Sequence, residues 1–497
     1  MFRWKSFNRG PSAQDADGAD YERRRLRTRE CILYVTYGFT FLFIGMIAYF
    51  SWFLQFRSQE VIGSSYNARL DRFSDRIVRG KILSRDGQVL AVTEELSDGT
   101  EQRYYPFEYL FVHSVGYSAK NGKTGLESLG NFYLLSSHVN LAERVIHEFQ
   151  GKKNMGDNLV STLDAAMQQA ADEAIGKRRG AVIAMRPDTG AILTMVSQPN
   201  FNANYVDERW EELNEDSESK AYFVNRATQG LYPPGSTFKI LTMLEYIREH
   251  PTDWRNYTYH CDGSYTNGGY TISCYHGEAN GDQNIVQAFA NSCNGAFAQI
   301  GEGLDTAKFR SLAEACGFNS TLPLPVPGAV SSFRLMPEAG DWEKAQTAIG
   351  QGKTQMTAML NLMIVSAIAN GGTMMKPSLM DHVENAGGQT VKRFPPQSMG
   401  SIMSAEEAGI LTAMMTEVVS SGTGSAFRGA PYTSAGKTGT AETGRTTESD
   451  AWYVGFAPAE KPEIAVCVIL EEGGSGGGAA APVARAVIDC YMERRGR

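Results

Sequence analysis

The chain has 497 residues, with 47 Lys and Arg against 55 Asp and Glu (net −8) and 42% apolar residues. That apolar share excludes a disordered chain, and the length exceeds what one hydrophobic core serves, so two to four domains are expected. The charge is uneven: residues 1–30 carry eight Lys/Arg and five Asp/Glu, net +3, which leaves −11 to everything from Arg57 onward, an acidic bulk that argues against a nucleic-acid partner.

The first predicted element is a membrane anchor. Cys31 to Phe56 is a run of 26 residues without a charge, and at 1.5 Å per residue it reaches roughly 39 Å, enough to cross a ~30 Å hydrocarbon core with tilt. A cleaved signal peptide would have a shorter apolar region and small residues at its end, whereas RSQEV follows this run. Arg23, Arg24, Arg25, Arg27 and Arg29 crowd the N-terminal flank and Arg57 stands alone beyond it, so the positive-inside rule puts the N-terminus in the cytoplasm and residues 57–497 outside. The expected divisions are a tail (1–30), the anchor (31–56), a membrane-proximal domain (57–160) and a larger domain (161–497).

In the external part, Ile77 to Thr93 reads as two short strands around an Asp86-Gly87 turn, and no long helix is expected up to residue 160. Ser161, Thr162 or Asp164 would cap a helix ending near Gly176 or Gly180. GAVIAMRP and GAILTMVSQ form a hairpin around Asp188, Thr189 and Gly190, and the acidic stretch 207–220 is a solvated loop or helix. After Gly235 the pattern turns helical, with further helices within 284–316 and 355–370. Strands return in TSAGKTGTAE, AWYVGFAP and EIAVCVILEE; GGSGGGAAAP is a short loop, and a helix from about Pro482 to Arg494 closes the chain. Strands first, helices in the middle and strands last predict an α+β fold, its antiparallel sheet closed by the two ends of one domain and flanked by helices.

Seven cysteines are too few for a disulfide scaffold. Cys261 and Cys274 share a loop-like stretch, HCDGSYTNGGYTISCYHG, where three states are open: a disulfide closing a loop of about 14 residues, worth up to ~3 kcal/mol, two free thiols, or zinc with His260 and His276 as nitrogen ligands.

The chemistry concentrates around Ser236. A serine opening an apolar helix with a lysine three residues on shares a face with it, and a lysine walled in by apolar groups can act as a base. S-x-x-K alone is weak, since Ser217 and Lys220 also match it. Lys437-Thr438-Gly439 has a decoy in Lys123-Thr124-Gly125, and Ser292-Cys293-Asn294 has one in Ser65-Tyr66-Asn67. Order and context select Ser236, Ser292 and Lys437, spaced by 56 and 145 residues: the serine opens a helix, S-x-N ends a helix-rich stretch, and K-T-G lies in a strand.

With that ordered triple the chain resembles the penicillin-binding transpeptidases. RGKILSRDGQVLA, GKTGLES, YPPGSTFK, HG followed by NSCN, IGQGKTQMT with ANGG, and AGKTGTAE with AWYVGFAP extend the likeness from Arg79 to Ala481. Only about 100 residues separate anchor and second domain, too few for a glycosyltransferase domain, so the chain is similar to class B, monofunctional members of the compact penicillin-binding protein A type. β-Lactamases share the triple but are usually secreted without an anchor.

The resemblance implies that Ser236 attacks the penultimate D-Ala of a peptidoglycan stem peptide and is acylated by β-lactam antibiotics. Lys239 would take the serine proton, Ser292 and Lys437 would relay a proton to the leaving amine, and Asn294 would hold substrate and Lys239. Thr438, Gly439 and Thr440 would line the binding strand, the two hydroxyls facing the terminal carboxylate, with an oxyanion hole from the N–H groups of Ser236 and Thr440. No metal or cofactor is called for, and Cys293 is structural. A polytopic glycosyltransferase of the shape, elongation, division and sporulation (SEDS) type is implied as partner. Alternatives are a D,D-carboxypeptidase and a non-catalytic β-lactam or muropeptide sensor or scaffold. Gln351 reads as a turn residue, and Glu448 and Asp450 as rim residues; the histidines show no nucleophile-elbow context for a Ser-His-Asp hydrolase.

Overall fold

The computed structural model describes residues 13–56, 77–139, 146–147, 149–215, 221–444 and 448–495. Ser65-Tyr66-Asn67 and the Ser217/Lys220 pair lie outside the described residues. The chain divides into two compact units, Met1–Asn67 and Ala68–Arg497.

Among its described residues the first unit has one helix, α1 (Ala13–Phe56). Its segment Arg25–Phe53 is long and apolar enough to cross a membrane, and none of its side chains is buried in the fold. The helix starts well ahead of the apolar run because the Ala-, Glu- and Arg-containing stretch before it consists largely of good helix formers. Inside the apolar part, Thr36 and Thr40 return their hydroxyls to the carbonyls of Ile32 and Thr36 (2.8 and 2.9 Å), which satisfies two polar groups within the helix itself.

In the second unit the elements that build the larger fold are α2 (Ala165–Ile175), β1 (Gly180–Met185), β2 (Ile192–Gln198), α3 (Lys239–Glu249), α4 (Asn294–Gly303), α5 (Ala358–Ala369), β3 (Ala435–Ala441), β4 (Asp450–Ala457), β5 (Ile464–Leu470) and α6 (Ala481–Arg494). Asp164 caps α2, its carboxylate accepting from Met167 N at 3.1 Å, and Gly176 ends the helix in the left-handed region. The five strands form one antiparallel sheet in the order β2-β1-β5-β4-β3, so the first hairpin and the last three strands meet through β1 and β5.

Both faces of this sheet are covered, which is why β1, β4 and β5 read as continuous apolar runs without alternation. Val182, Ala184, Val466 and Val468 pack with α2 and α6 on one face. Ala181, Ile183, Cys467 and Ile469 face a larger core that contains α5, a helix buried almost all round.

A second, six-stranded sheet has the order Thr390–Arg393, Met380–Glu384, Asn158–Ser161, Ile82–Leu83, Val89–Glu95, Glu101–Tyr104. It therefore draws strands from both sides of residue 160, and the segment 380–393 lies with the membrane-proximal strands.

Three expectations need correction. The stretch around Cys261 and Cys274 is not a loop: Thr258–Cys261 pairs with Gly281–Asn284, and Ser264–Asn267 with Tyr270–Ser273. Its Gly-, Asn- and Ser-rich composition hides the strands because their outer face is solvated and every turn is glycine-bearing. GGSGGGAAAP is not a plain loop either, since Gly476–Ala480 forms a short π-helical turn running into α6. Finally, Asp450 is no rim residue; it is buried at the start of β4, where its carboxylate accepts from Glu472 N at 3.0 Å.

Candidate active site

Ser236 sits on a tight 3-10 turn, Gly235–Phe238, that leads into α3. The turn is held from four directions. Gly235, at φ +54°, donates its N–H to Gly350 O (2.9 Å), and a Cβ on Gly350 would stand 1.9 Å from the Gly235 carbonyl oxygen. Trp452 of β4 donates Nε1–H to Pro233 O at 3.0 Å. Thr237 Oγ1 donates to Pro234 O (2.8 Å) and accepts from Asn361 Nδ2 of α5 (3.0 Å). Gly439 of β3 passes so close that a Cβ there would meet Thr237 Cγ2 and Trp452 Cβ, each at 3.0 Å. The serine is thus fixed by backbone clasping as well as by its helix.

A cleft of about 1130 Å³ opens over this turn and is lined by Ser236, Ser292, Asn294, Thr438, Gly439 and Thr440, six of the eight residues singled out in the sequence. The other two, Lys239 and Lys437, are fully buried behind it. Lys239 Nζ donates to Ser292 O at 2.6 Å and Asn294 Oδ1 at 2.7 Å, and stands 3.4 Å from Ser292 Oγ. Lys437 Nζ donates to Ser292 Oγ at 2.8 Å and Thr438 O at 3.1 Å. Ser292 is therefore the bridge between two lysines whose positions differ by 198 residues. Its backbone lies at φ +56°, a conformation rare for serine, which fits a turn between the helix Ile285–Ala290 and α4 that must aim both Oγ and C=O at lysines.

Electrostatics follow from that burial. Among the described residues neither lysine has a carboxylate within ion-pair distance; Lys437 feels the charge of Lys239, and the titratable neighbours of Lys239 are the thiols of Cys293 and Cys274. Burial lowers Lys239 to about 8. Burial, and then the charge of Lys239, holds Lys437 well below the ordinary lysine range. A lysine without a counter-ion and without water is biased to the neutral amine, the form able to accept a proton. Phe297 and Phe289 supply apolar walls, with the ammonium positions 5.5 and 5.7 Å from the ring centroids.

On the strand side, the Thr438 and Thr423 hydroxyls meet at 2.5 Å, and Gly476 N points at Thr440 Oγ1 at 3.4 Å. Gln351, read as a turn residue, does more: with its amide oriented to satisfy both ends it pairs with N and O of Glu442 at 3.2 Å, latching the Gly350 turn to the end of β3. Thr423, Asn361 and Trp342 also reach the site or its supports and were missed, because each is a single residue outside any motif; only the run AWYVGFAP pointed to Trp452. Glu448 is exposed, whereas Cys293 is buried and faces away from the cleft among other thiols.

Comparison with known proteins gives this geometry its family. Residues 180–489 match the penicillin binding protein transpeptidase domain, and residues 79–159 match the penicillin binding protein A dimerisation domain. The chain is 33% identical over 449 residues to the peptidoglycan D,D-transpeptidase PbpA of Mycolicibacterium smegmatis, covering 84% of this chain and 89% of that one. Among solved structures, a D,D-transpeptidase domain of a peptidoglycan glycosyltransferase from Eggerthella lenta is 34% identical with a TM-score of 0.75, covering 85% and 99% of the two chains. Penicillin-binding protein A of M. tuberculosis, as its penicillin G acyl-enzyme complex, is 30% identical with a TM-score of 0.75, covering 83% and 99%. The chain belongs to the penicillin-binding protein transpeptidase family. Within that family its likeness is to the class B members of the penicillin-binding protein A kind.

Proposed function

We propose that this chain is a membrane-anchored peptidoglycan D,D-transpeptidase that works through a serine acyl-enzyme on Ser236. The observation that carries the reading is the Ser292 hydroxyl held between two buried lysines that have no counter-ion among the described residues, with the half-buried Ser236 lining the same open cleft as Ser292. Lys239, as the neutral amine, takes the Ser236 proton while Oγ attacks the carbonyl of the penultimate D-Ala of a stem peptide. The N–H groups of Ser236 and Thr440 hold the oxyanion. Ser292 passes a proton from the lysines to the departing D-Ala amine, and Asn294 steadies Lys239 and the peptide backbone. Thr438 and Thr440 receive the terminal carboxylate next to Lys437, with Gly439 giving the strand room beside the serine turn. An amine from a second stem then attacks the acyl-enzyme, releasing Ser236 and forming the cross-link. A β-lactam enters the first half of the same path and stays as the acyl group.

The same reading places residues 1–30 in the cytoplasm, 31–56 in the cell membrane, and 57–160 and 161–497 outside, supported by the arginine-rich flank and by α1, the one helix among the described residues long and apolar enough to cross a membrane. The partner is a polytopic SEDS-type glycosyltransferase contacted through the anchor and residues 57–160, since a transpeptidase without its own glycosyltransferase domain needs glycan made nearby. Replacing that segment with an unrelated anchor should abolish co-purification and leave penicillin acylation intact. Assay of the purified protein on nascent glycan tests the reaction: cross-linked stem dimers are expected, and trimmed monomers alone would make it a D,D-carboxypeptidase.

A further inference from the structure

Behind the S-x-N turn lies a group of side chains that the acyl-transfer chemistry does not use. Cys261, at the end of the strand Thr258–Cys261, and Cys274, just after the strand Tyr270–Ser273, bring their sulfurs to 3.6 Å. Cys293, the middle residue of S-x-N, stands 3.8 Å from Cys274, and all three sulfurs lie within 4.8 Å of one another. Each of the three residues is buried. All seven cysteines are free, and Cys316 and Cys467, the other two buried ones, belong to no such cluster among the described residues.

The spacing has a chemical meaning. Zinc binds thiolate sulfur at about 2.3 Å, and two sulfurs at tetrahedral angles on one ion are then about 3.8 Å apart. Two of the three edges are 3.6 and 3.8 Å. The segment's strands form two separate two-stranded sheets outside the main sheet, joined by glycine-bearing turns, the kind of small excursion that a structural metal staples.

We propose that Cys261, Cys274 and Cys293 bind one zinc ion and that this ion fixes the S-x-N turn against the strand Tyr270–Ser273. Three S–H bonds break as three Zn–S bonds form, and the protons leave to solvent. Cys274 and Asn280 line the cleft, so a water from it can take the fourth vertex. The ligand set is not the one expected from sequence: His260 Nδ1 is 2.6 Å from Asp282 Oδ1 on the surface, His276 packs edge-on against Tyr275, and the third ligand is Cys293 instead. The positioning effect is direct. Ser292 and Asn294, which hold Lys239, flank one ligand, while Ser273, whose carbonyl accepts from Asn294 Nδ2 at 2.9 Å, precedes another. The ion would tie both sides of that contact, a structural role outside the acyl-transfer steps.

The test is metal content, which does not depend on turnover and so stands or falls separately from the proposed reaction. The full chain, purified in detergent and reconstituted with zinc and then desalted, should carry one zinc per molecule. Cys261→Ser and Cys274→Ser should each lose it, and Cys316→Ser and Cys467→Ser should keep it. Because a serine variant could fail to fold, the unmodified protein is also loaded with cobalt(II), where thiolate-to-cobalt charge-transfer absorption is expected. Two results overturn the proposal: a metal-free protein in which all three thiols alkylate without reductant, or a native mass short by two hydrogens with Cys274 bridged to Cys261 or Cys293.

Discussion

Two of the places where this molecule buries charge handle it in opposite ways. On the short helix Gly125–Leu129, Glu127 is fully buried between two arginines: Arg79 and Arg103 donate Nε–H to its two oxygens at 2.7 and 2.6 Å. Burial pushes the Glu127 carboxyl up, but Arg103 and Arg79 outweigh it and hold it below the ordinary range. Behind the cleft, Lys239 and Lys437 are as deeply buried, donate to a hydroxyl, carbonyls and an amide oxygen, lie against Phe297 and Phe289, and are pushed down. The first arrangement keeps its ions and holds a fold together. The second withholds compensation and so biases its lysines to the neutral amine, as the proposed mechanism requires.

The decoy K-T-G sharpens the contrast, because Lys123-Thr124-Gly125 leads directly into the short helix Gly125–Leu129 that carries Glu127. There Gly125, at φ +54°, packs so tightly that a Cβ would lie 2.6 Å from Ser114 O, and Thr124 caps a turn to Tyr117. The same tripeptide is a packing device at the start of one helix and, in β3, a lysine without a counter-ion among the described residues. Residue identity does not separate them; burial and partners do.

The comparison can be broken at several points. Lys239→Ala removes the base and should slow penicillin acylation by roughly 10²–10⁴ with the fold intact, measured by stopped-flow labelling alongside circular dichroism. Glu127→Gln should do the reverse: it leaves two buried guanidinium groups uncompensated, costing about 3–5 kcal/mol of stability, read by denaturant unfolding, while acylation of the folded fraction stays near normal. A smaller effect is expected from pH. Below about 8 Lys239 is protonated, so the acylation rate should rise about tenfold per pH unit from the acid side and level off above that value. A rate flat from pH 6 to 9 would remove the neutral-lysine account. The smallest effect is none at all: Lys123→Ala and Ser217→Ala should leave labelling unchanged.

Legibility from sequence followed the same division. The sheet and its capped helix were readable because strands buried on both faces leave long apolar runs, and because Asp164 and Gly176 mark the ends of α2. Order and context picked out eight residues, of which six line one cleft and two are buried behind it. What could not be read were contacts between distant single residues. These include the Gly350 clasp on Gly235, the Asn361–Thr237 bond, the strand pairing of 380–384 with 158–161, and the meeting of Cys293 with Cys261 and Cys274. Each depends on tertiary packing with no local period or spacing to announce it. The strands of 258–284 were missed for a related reason, since they are mostly half-solvated and turn-rich.

The central claim is that one hydroxyl, that of Ser236, carries the acyl group. Fluorescent penicillin incubated with the full chain, followed by proteolysis and mass mapping, tests it most directly. The account predicts a single covalent adduct on Ser236 that disappears in Ser236→Ala while the variant remains folded; an adduct on any other residue, or labelling that survives the substitution, would contradict it.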